Sequence, residues 1–220
     1  MSKYMIHACK NRLWYVQQYL VPSILEQGVK RDDIAVYVDD KNEGCLVSYI
    51  NSFKQLTGKG TWHLQDDVVV STRFKELTEK HDKGVVCGYC NCYDKHITWG
   101  YVSTEKMWYS FPCIHIPDYM AIDFVEWLQT EEVKRTFGCY IDRNKHIDVL
   151  FKSYVMETYS TMPVLNLSPN IINHIDYLIG GSVINNTRAE GPKQLMSVYW
   201  EDSRDTIDRL ERSLRNGRTD

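Results

Sequence analysis

Short apolar runs alternate with amphipathic stretches through the first half of the chain. The apolar runs are short enough to be strands and occur at KYMIHAC, DIAVYVDD, TWHLQDDVVV and KGVVCGYCNCY. Between them, apolar residues recur at helical spacing, most clearly in RLWYVQQYLVPSILEQG, where Leu13, Val16, Leu20 and Ile24 fall on one face. This alternation predicts an α/β protein whose mainly parallel sheet is covered by helices.

Local signals predict where several elements begin and end. Pro22 is expected to kink or divide the first helix, and Gly28 to end it. Ser71 or Thr72 is expected to cap the helix in STRFKELTEKH, and Asp118 the helix in YMAIDFVEWLQT. Further helices are expected in NEGCLVSYINSFKQL, NKHIDVLFKSYVMETY and YWEDSRDTIDRLERSLRNG, and extended segments in MWYSFPCIHIP and PVLNLSPNIINHID.

Composition narrows the class of protein. A length of 220 residues suits one domain with a substantial core, and a net charge of −3 gives no global reason for non-specific nucleic-acid binding. The first residues lack the apolar core of a signal peptide, and no run reaches the roughly 18 apolar residues of a membrane span. The odd number of cysteines, 7, favours reduced thiols. A cytoplasmic protein without membrane contact is therefore expected.

Two pairs of acids follow two of the predicted strands. Asp39 and Asp40 end one strand, and Asp66 and Asp67 end another. Open sheets of this class bind ligands at the carboxyl ends of their strands. Adjacent carboxylates on a buried strand repel each other, and a bound Mg²⁺ or Mn²⁺ would offset that repulsion. The alternative is a solvated turn whose acids cap the following helix.

The acidic pair lies in a stretch, WHLQDDVVVS, that resembles the metal-binding acidic motif of GT-A glycosyltransferases. The later stretch SPNIINHIDYLIGGSVIN resembles the segment that returns the chain to the metal in several GT-A families. The resemblance implies that Asp66, Asp67 and His174 hold Mn²⁺ or Mg²⁺ against the diphosphate of a nucleotide-sugar, taken to be a UDP-sugar. The acids are adjacent here, whereas the commonest motif separates them, which leaves open which one contacts the metal directly.

The resemblance also implies roles for other residues. Asp148, at the start of a late helix, would act as the catalytic base, the alternative being an ordinary surface acid. The nucleotide-sugar contacts that it implies are His7, Lys10, Arg12, Asp39, Asp40, Asn42, Gly44, Gln65 and Ser182. The acceptor-pocket residues that it implies are Trp108, Tyr109 and Ser110.

The stretches TWHLQDDV, MWYSFPCI and NHIDYLIGGSVIN also resemble small bacteriophage glycosyltransferases. The implied organisation is one GT-A-like, Rossmann-like domain over 1–220, with a nucleotide-binding half at about 1–70, an acceptor half at about 71–190 and a C-terminal helix at 198–216. The implied acceptor carries a hydroxyl group; a hydroxymethylated base in phage DNA and a virion or host component are the candidates.

Three alternatives stay open at this point. The charged C-terminal helix packs either on the domain or on a second copy, which would make a homodimer. The fold could serve a non-catalytic nucleotide-binding or host-interaction protein. A metal-dependent nucleotidyltransferase or phosphohydrolase would also use paired acids.

Overall fold

A seven-stranded sheet forms the centre of the protein in a computed structural model, with the strand order β2-β1-β3-β7-β5-β8-β6. The model describes residues 3–56, 58–89, 100–102 (backbone only), 111–144, 146–167, 170–175, 178–179 and 207–212. The strands are β1 (Tyr4–Cys9), β2 (Ile34–Asp39), β3 (Thr61–Gln65), β5 (Val86–Cys87), β6 (Gly100–Val102), β7 (Cys113–Ile116) and β8 (Val164–Asn166).

Most strands of this sheet run in one direction. β1 pairs in parallel with β2 and β3, and β5 pairs in parallel with β8. β7 and β6 run antiparallel to their neighbours, so five of the seven strands share a direction. The predicted mainly parallel α/β sheet is confirmed.

A second, two-stranded sheet pairs β4 (Val68–Val70) antiparallel with β9 (Ile172–His174). TWHLQDDVVV is therefore not one strand as predicted, because a turn at Asp66 and Asp67 sends β3 and β4 into different sheets. PVLNLSPNIINHID is likewise divided between β8 and β9. In both segments the two halves are buried, so hydropathy alone does not reveal the break.

Helices cover both faces of the large sheet. They are α1 (Leu13–Tyr15), α2 (Val21–Glu26), α3 (Cys45–Phe53), α4 (Phe74–Lys80), α5 (Asp118–Trp127), α6 (Glu131–Asp142) and α7 (Ile147–Thr158), with a further helical segment at 207–212. Tyr4, Ile6 and Ala8 of β1 point into a core shared with α1, α2 and α4. Met5 points into the opposite core, which α3, α5 and α7 complete. Among the described helices, none has the length and apolar character needed to cross a bilayer.

The structure tests three local predictions about the ends of elements. Pro22 does not divide the first helix, because a π-helical turn at Val16–Leu20 leads directly into α2, which carries Pro22 in its first turn; the alternative of a kink stays a prediction. Arg73, not Ser71 or Thr72, precedes α4. Asp118 begins α5 but does not cap it: its carboxylate accepts hydrogen bonds from the backbone N–H of Gly58 and the hydroxyl of Thr61.

A pair of histidines lies inside the core between β1 and β3. Nε2 of His7 is 3.0 Å from Nδ1 of His63, and the His7 ring stacks on Tyr49 at 3.7 Å between centroids. The other two ring nitrogens, His7 Nδ1 and His63 Nε2, have no hydrogen-bond partner within the described residues. Burial lowers the pKa of His7 to about 3; burial and the nearby His7 and His115 lower the pKa of His63 well below its usual value.

We expect these two histidines to make the protein sensitive to acid. The unfolded chain binds protons near pH 6.5 while the folded rings stay neutral, so their stability contribution is full above that pH and falls as the pH drops. One pH unit below the unfolded pKa, each neutral histidine lowers the free energy of unfolding by about 1.4 kcal/mol. Denaturant titrations at pH 7.5 and 5.5 measure the difference.

The double variant His7→Leu/His63→Leu is the matched test of that expectation. It removes both titrating groups together and leaves no buried ring nitrogen without a partner. Its free energy of unfolding should change much less between pH 7.5 and 5.5 than that of the parent protein. Equal acid sensitivity in the two proteins would contradict the assignment.

Candidate donor-binding site

The acidic pair lies in the turn between β3 and β4, where it is held by an arginine from the first βα connection. Asp66 and Asp67 are 6% and 7% exposed. Nη1 of Arg12, which is also buried, donates to Asp66 Oδ1 at 3.0 Å and to Asp67 Oδ2 at 2.6 Å. Because β1 and β3 are parallel neighbours, their carboxyl ends meet at one edge of the sheet. Within the described residues, the guanidinium of Arg12 therefore offsets the two adjacent charges.

Backbone contacts fix the same junction. The backbone N–H of Cys9, the last residue of β1, donates to Asp66 Oδ2 at 2.6 Å. The hydroxyl of Tyr15 donates to the carbonyl of Val68 at 2.7 Å. Both oxygens of Asp66 are thereby engaged by the first βα connection, and Asp66 serves to join two loops.

His174 reaches the other acid from β9. Val68 pairs with His174 across the small sheet, which brings Nε2 of His174 to 3.2 Å from Oδ1 of Asp67. This oxygen is buried and receives no hydrogen bond of good geometry from any residue that the structure describes. Burial alone would raise the pKa of the Asp67 carboxyl, but His174 and Arg12 outweigh it and lower the pKa to about 2. For Asp66, burial and the charge of Asp67 dominate and raise the pKa.

The fit of a divalent ion to these residues is partial. In the described part of the chain, no group of three or more His, Cys, Asp or Glu side chains is arranged to hold a metal ion. Of the three expected metal ligands, Asp66 is already engaged, because its two oxygens accept hydrogen bonds from Cys9 and Arg12. Asp67 Oδ1 and His174 Nε2 are close enough to act as an oxygen ligand and a nitrogen ligand of one metal ion. Protein sites for Mg²⁺ often supply one or two ligands and leave the remainder to substrate phosphates and water.

Asp148 lies half-buried in the first turn of α7, a helix that contacts α3. Cys45 is the first residue of α3. Burial raises the pKa of the Cys45 thiol to about 12, helped by the negative charges of Asp148, Asp67, Asp66 and Asp39 in that order. Of these four carboxylates, Asp148 therefore has the largest electrostatic effect on the thiol.

The loop between β2 and α3 has a different role from the one that the resemblance implies for Asp39. Oδ1 of Asp39 accepts from the N–H of Glu43 at 2.8 Å and Oδ2 from the N–H of Gly44 at 2.9 Å. The carboxylate thus holds its own loop. Asn42 and Gly44 both adopt positive φ, 55° and 99°, and Asp40 is exposed. Asp40 and Asn42 remain available to a ligand.

Of the other residues expected to contact the nucleotide-sugar, some lie at this site and one lies in the core. Gln65 ends β3 immediately before the acidic pair, and Lys10 is exposed two residues before Arg12. His7 is corrected: its ring is buried against Tyr49, so it packs in the core and does not face a ligand. Ser182, Trp108, Tyr109 and Ser110 lie outside the described residues.

Sequence reasoning missed two residues next to the site. Cys45 carries no sequence signal, since a cysteine at the start of an amphipathic helix usually belongs to the core. Asn144 adopts φ 50°, and it lies in the turn between α6 and α7. An asparagine between two helices is a weak signal for such a conformation, because asparagine tolerates positive φ better than most residues.

Comparison with known proteins shows a fold and no family. No family model matches the chain, and no curated protein does. Among solved structures, S. aureus TarS 1-349 matches at 13% identity with a TM-score of 0.52, over 80% of this chain and 61% of that chain. S. aureus TarS 1-349 in complex with UDP-GlcNAc matches at 13% identity with a TM-score of 0.49, over 78% of this chain and 57% of that chain.

The apo-form glycosyltransferase GlyE of S. pneumoniae TIGR4 matches at 8% identity with a TM-score of 0.47, over 99% of this chain and 64% of that chain. The match to TarS 1-349 shows the GT-A-like α/β fold that the sequence resemblance implies. The chain spans 61% of that TarS fragment.

Proposed function

We propose that this chain is a glycosyltransferase that moves a sugar from a nucleotide-sugar to a hydroxyl acceptor. The observation that carries the proposal is the convergence of Arg12, Asp66, Asp67 and His174 at the carboxyl edge of a GT-A-like sheet, with Asp148 nearby. The complex of TarS with UDP-GlcNAc supports a UDP-sugar as the donor class.

A bound cation would suit this site to a departing diphosphate. Arg12 is buried and its charge is offset by two carboxylates, so Arg12 would hold the acidic pair in place while the ion supplies the positive charge facing the phosphates. Asp67 and His174 would hold a Mn²⁺ or Mg²⁺ ion, which when bound neutralises charge that develops on the diphosphate. Asp66 positions Arg12 and the backbone of Cys9 and does not itself face the ion.

Asp148 would act on the acceptor. A hydroxyl group is a poor nucleophile until its proton is removed, and the carboxylate in the first turn of α7 would accept that proton as the oxygen attacks the sugar. A hydroxymethylated base in phage DNA is the acceptor suggested by the resemblance to phage enzymes. The test of that acceptor is transfer of labelled sugar to hydroxymethylated DNA, with unmodified DNA as the control.

Nucleotide-sugar binding is the first prediction of this proposal. UDP-sugars with Mn²⁺ should raise the melting temperature, since a ligand that binds only the folded protein stabilises it by RT ln(1 + [L]/Kd). At a hundredfold excess over Kd this is about 2.7 kcal/mol, or a shift of about 5–10 °C for a chain of this size. A thermal-shift panel of nucleotide-sugars with Mn²⁺ and with EDTA measures it, and EDTA should remove most of the shift and the turnover.

Three results would separate the competing functions. Full turnover in EDTA would overturn the metal assignment to Asp67 and His174 and leave the donor assignment intact. Binding of nucleotide-sugars with neither sugar transfer nor slow hydrolysis would indicate a non-catalytic nucleotide-binding protein. Turnover of nucleoside triphosphates with no binding of nucleotide-sugars would indicate a nucleotidyltransferase or phosphohydrolase and overturn the proposal.

A further inference from the structure

Asn144 joins the turn before α7 to the beginning of α3. Its side-chain Oδ1 accepts from the backbone N–H of Val47 at 2.9 Å, and its backbone carbonyl accepts from the N–H of Leu46 at 3.4 Å. Its side-chain Nδ2 donates to the carbonyl of Glu43. One residue thus contacts three backbone groups of a segment 97 positions away in the chain.

These contacts provide hydrogen-bond acceptors for backbone N–H groups at the N-terminus of α3. The N-cap of α3 is Gly44, which has no side chain to accept from the first-turn amides. Asp39 takes the N–H groups of Glu43 and Gly44, and Asn144 takes those of Leu46 and Val47. The loop after β2 is therefore held from both sides, by Asp39 at its start and by Asn144 at its end.

The junction leaves little room for other residues. A Cβ at Gly44 would lie 2.9 Å from Cγ of Asn144, closer than real side chains approach. Gly44 has φ 99°, where a side chain is strained in any case, and Asn144 itself adopts φ 50°. The close approach fixes the distance between the beginning of α3 and the turn that leads into α7.

Asp148 follows Asn144 by four residues and lies in the first turn of α7. The contacts of Asn144 therefore tie the backbone that carries Asp148 to the loop at the end of β2, beside the proposed donor site. We propose that Asn144 is a positioning residue that holds the Asp148 carboxylate at a set distance from the donor side of the site. The expected effect on kcat rests on the proposed function. The expected effect on the position of Asp148 rests only on the contacts of Asn144.

The kinetic test compares Asn144→Ala with Asn144→Asp. The alanine variant loses both side-chain hydrogen bonds, so kcat for nucleotide-sugar turnover should fall by about 10–100-fold, since small displacements of a reacting group have effects of that size. KM for the nucleotide-sugar should change little, because Arg12 and the acidic pair are untouched. Asn144→Asp keeps the acceptor for Val47 but sets an oxygen against the carbonyl of Glu43, so it should restore part of kcat. Asn51→Ala, on the same helix α3, is the matched control, because it removes only an exposed hydrogen bond to the Glu43 side chain and leaves the backbone contacts of Asn144 in place.

A second measurement does not need enzymatic activity. The alkylation rate of Cys45 at pH 8.5, followed by peptide mass spectrometry, reports its thiolate fraction and hence the nearby charge of Asp148. Asn144→Ala should increase this rate several-fold, and it should increase it less in an Asp148→Asn background, where the charge is already gone.

The outcomes separate the two proposals. An alkylation rate that Asn144→Ala leaves unchanged, or changes equally in both backgrounds, would overturn the positioning role whether or not the protein is an enzyme. A coupled change in Cys45 reactivity without turnover of any nucleotide-sugar would support the positioning of Asp148 and contradict the proposed function instead. A parallel fall in kcat and rise in KM would also overturn the role, because it would indicate general disruption of the site.

Discussion

Arg12→Met is expected to lower the free energy of unfolding by about 3–5 kcal/mol at pH 7 in the absence of metal, because it leaves two buried carboxylates without their cation. The methionine keeps the apolar stem, so the loss reports mainly the charge and its hydrogen bonds to Asp66 and Asp67. Denaturant unfolding in EDTA, followed by fluorescence and circular dichroism, measures it. Arg12→Lys should give an intermediate loss, since one ammonium cannot reproduce the geometry of a guanidinium.

The pH dependence of that loss provides a further check. Without Arg12, the folded-state pKa of Asp66, which already lies above the unfolded value of 3.8, should rise further, and the pKa of Asp67 should rise from about 2. Such a group stabilises the folded state below the unfolded pKa, and this contribution is lost as the pH rises. The difference between Arg12→Met and the parent protein should therefore be smaller at pH 4 than at pH 7.

Arg73→Met is the matched control for Arg12→Met. Arg73 also pairs with a carboxylate, that of Glu76 at 2.6 Å, but both side chains are largely exposed. An exposed pair contributes little, so this variant should unfold almost as the parent does. If Arg12→Met were no more destabilising than Arg73→Met, the acidic pair would not depend on Arg12 for its charge balance.

Asp148→Asn is expected to lower kcat for sugar transfer by about 10²–10⁴-fold, because asparagine cannot accept a proton from the acceptor hydroxyl. The nucleotide-sugar should still bind, since the substitution leaves Arg12, Asp67 and His174 in place. Initial rates of nucleotide diphosphate release measure turnover, and the thermal shift with a nucleotide-sugar and Mn²⁺ measures binding. Slow hydrolysis, with water as the acceptor, serves for the assay until the natural acceptor is identified.

Asp142→Asn is the matched control, because it makes the same Asp-to-Asn change at a neighbouring position. Asp142 ends α6, is exposed and precedes Asp148 by six positions. Its replacement should leave kcat unchanged. Equal rates for Asp148→Asn and the parent protein would remove Asp148 from the mechanism, whereas equal losses in both variants would indicate a charge effect on the surface.

Some of the site could be read from the chain because the signals are local. Strand periodicity and the acids that follow β2 and β3 predicted that carboxylates gather at one edge of the sheet, and the structure places Asp39, Asp66 and Asp67 there. The division of TWHLQDDVVV could not be read, because Val68–Val70 is as apolar as the strand before it. Helix α6 was also missed, although Val133, Phe137, Tyr140 and Ile141 form an apolar stripe at helical spacing that packs against the core.

The sequence by itself determined the α/β class, the helix-covered sheet and the strand ends that carry acids, because each depends on neighbours within a few residues. The resemblance implied that His174 lies beside the acidic pair, and the structure places its Nε2 3.2 Å from Asp67 Oδ1. Only the tertiary structure decided that Arg12 is the cation between Asp66 and Asp67, and that Asn144 caps α3. These contacts join residues from 54 to more than a hundred positions apart. Partners at such separations are selected by how the strands and helices pack, and no periodicity along the chain records that choice.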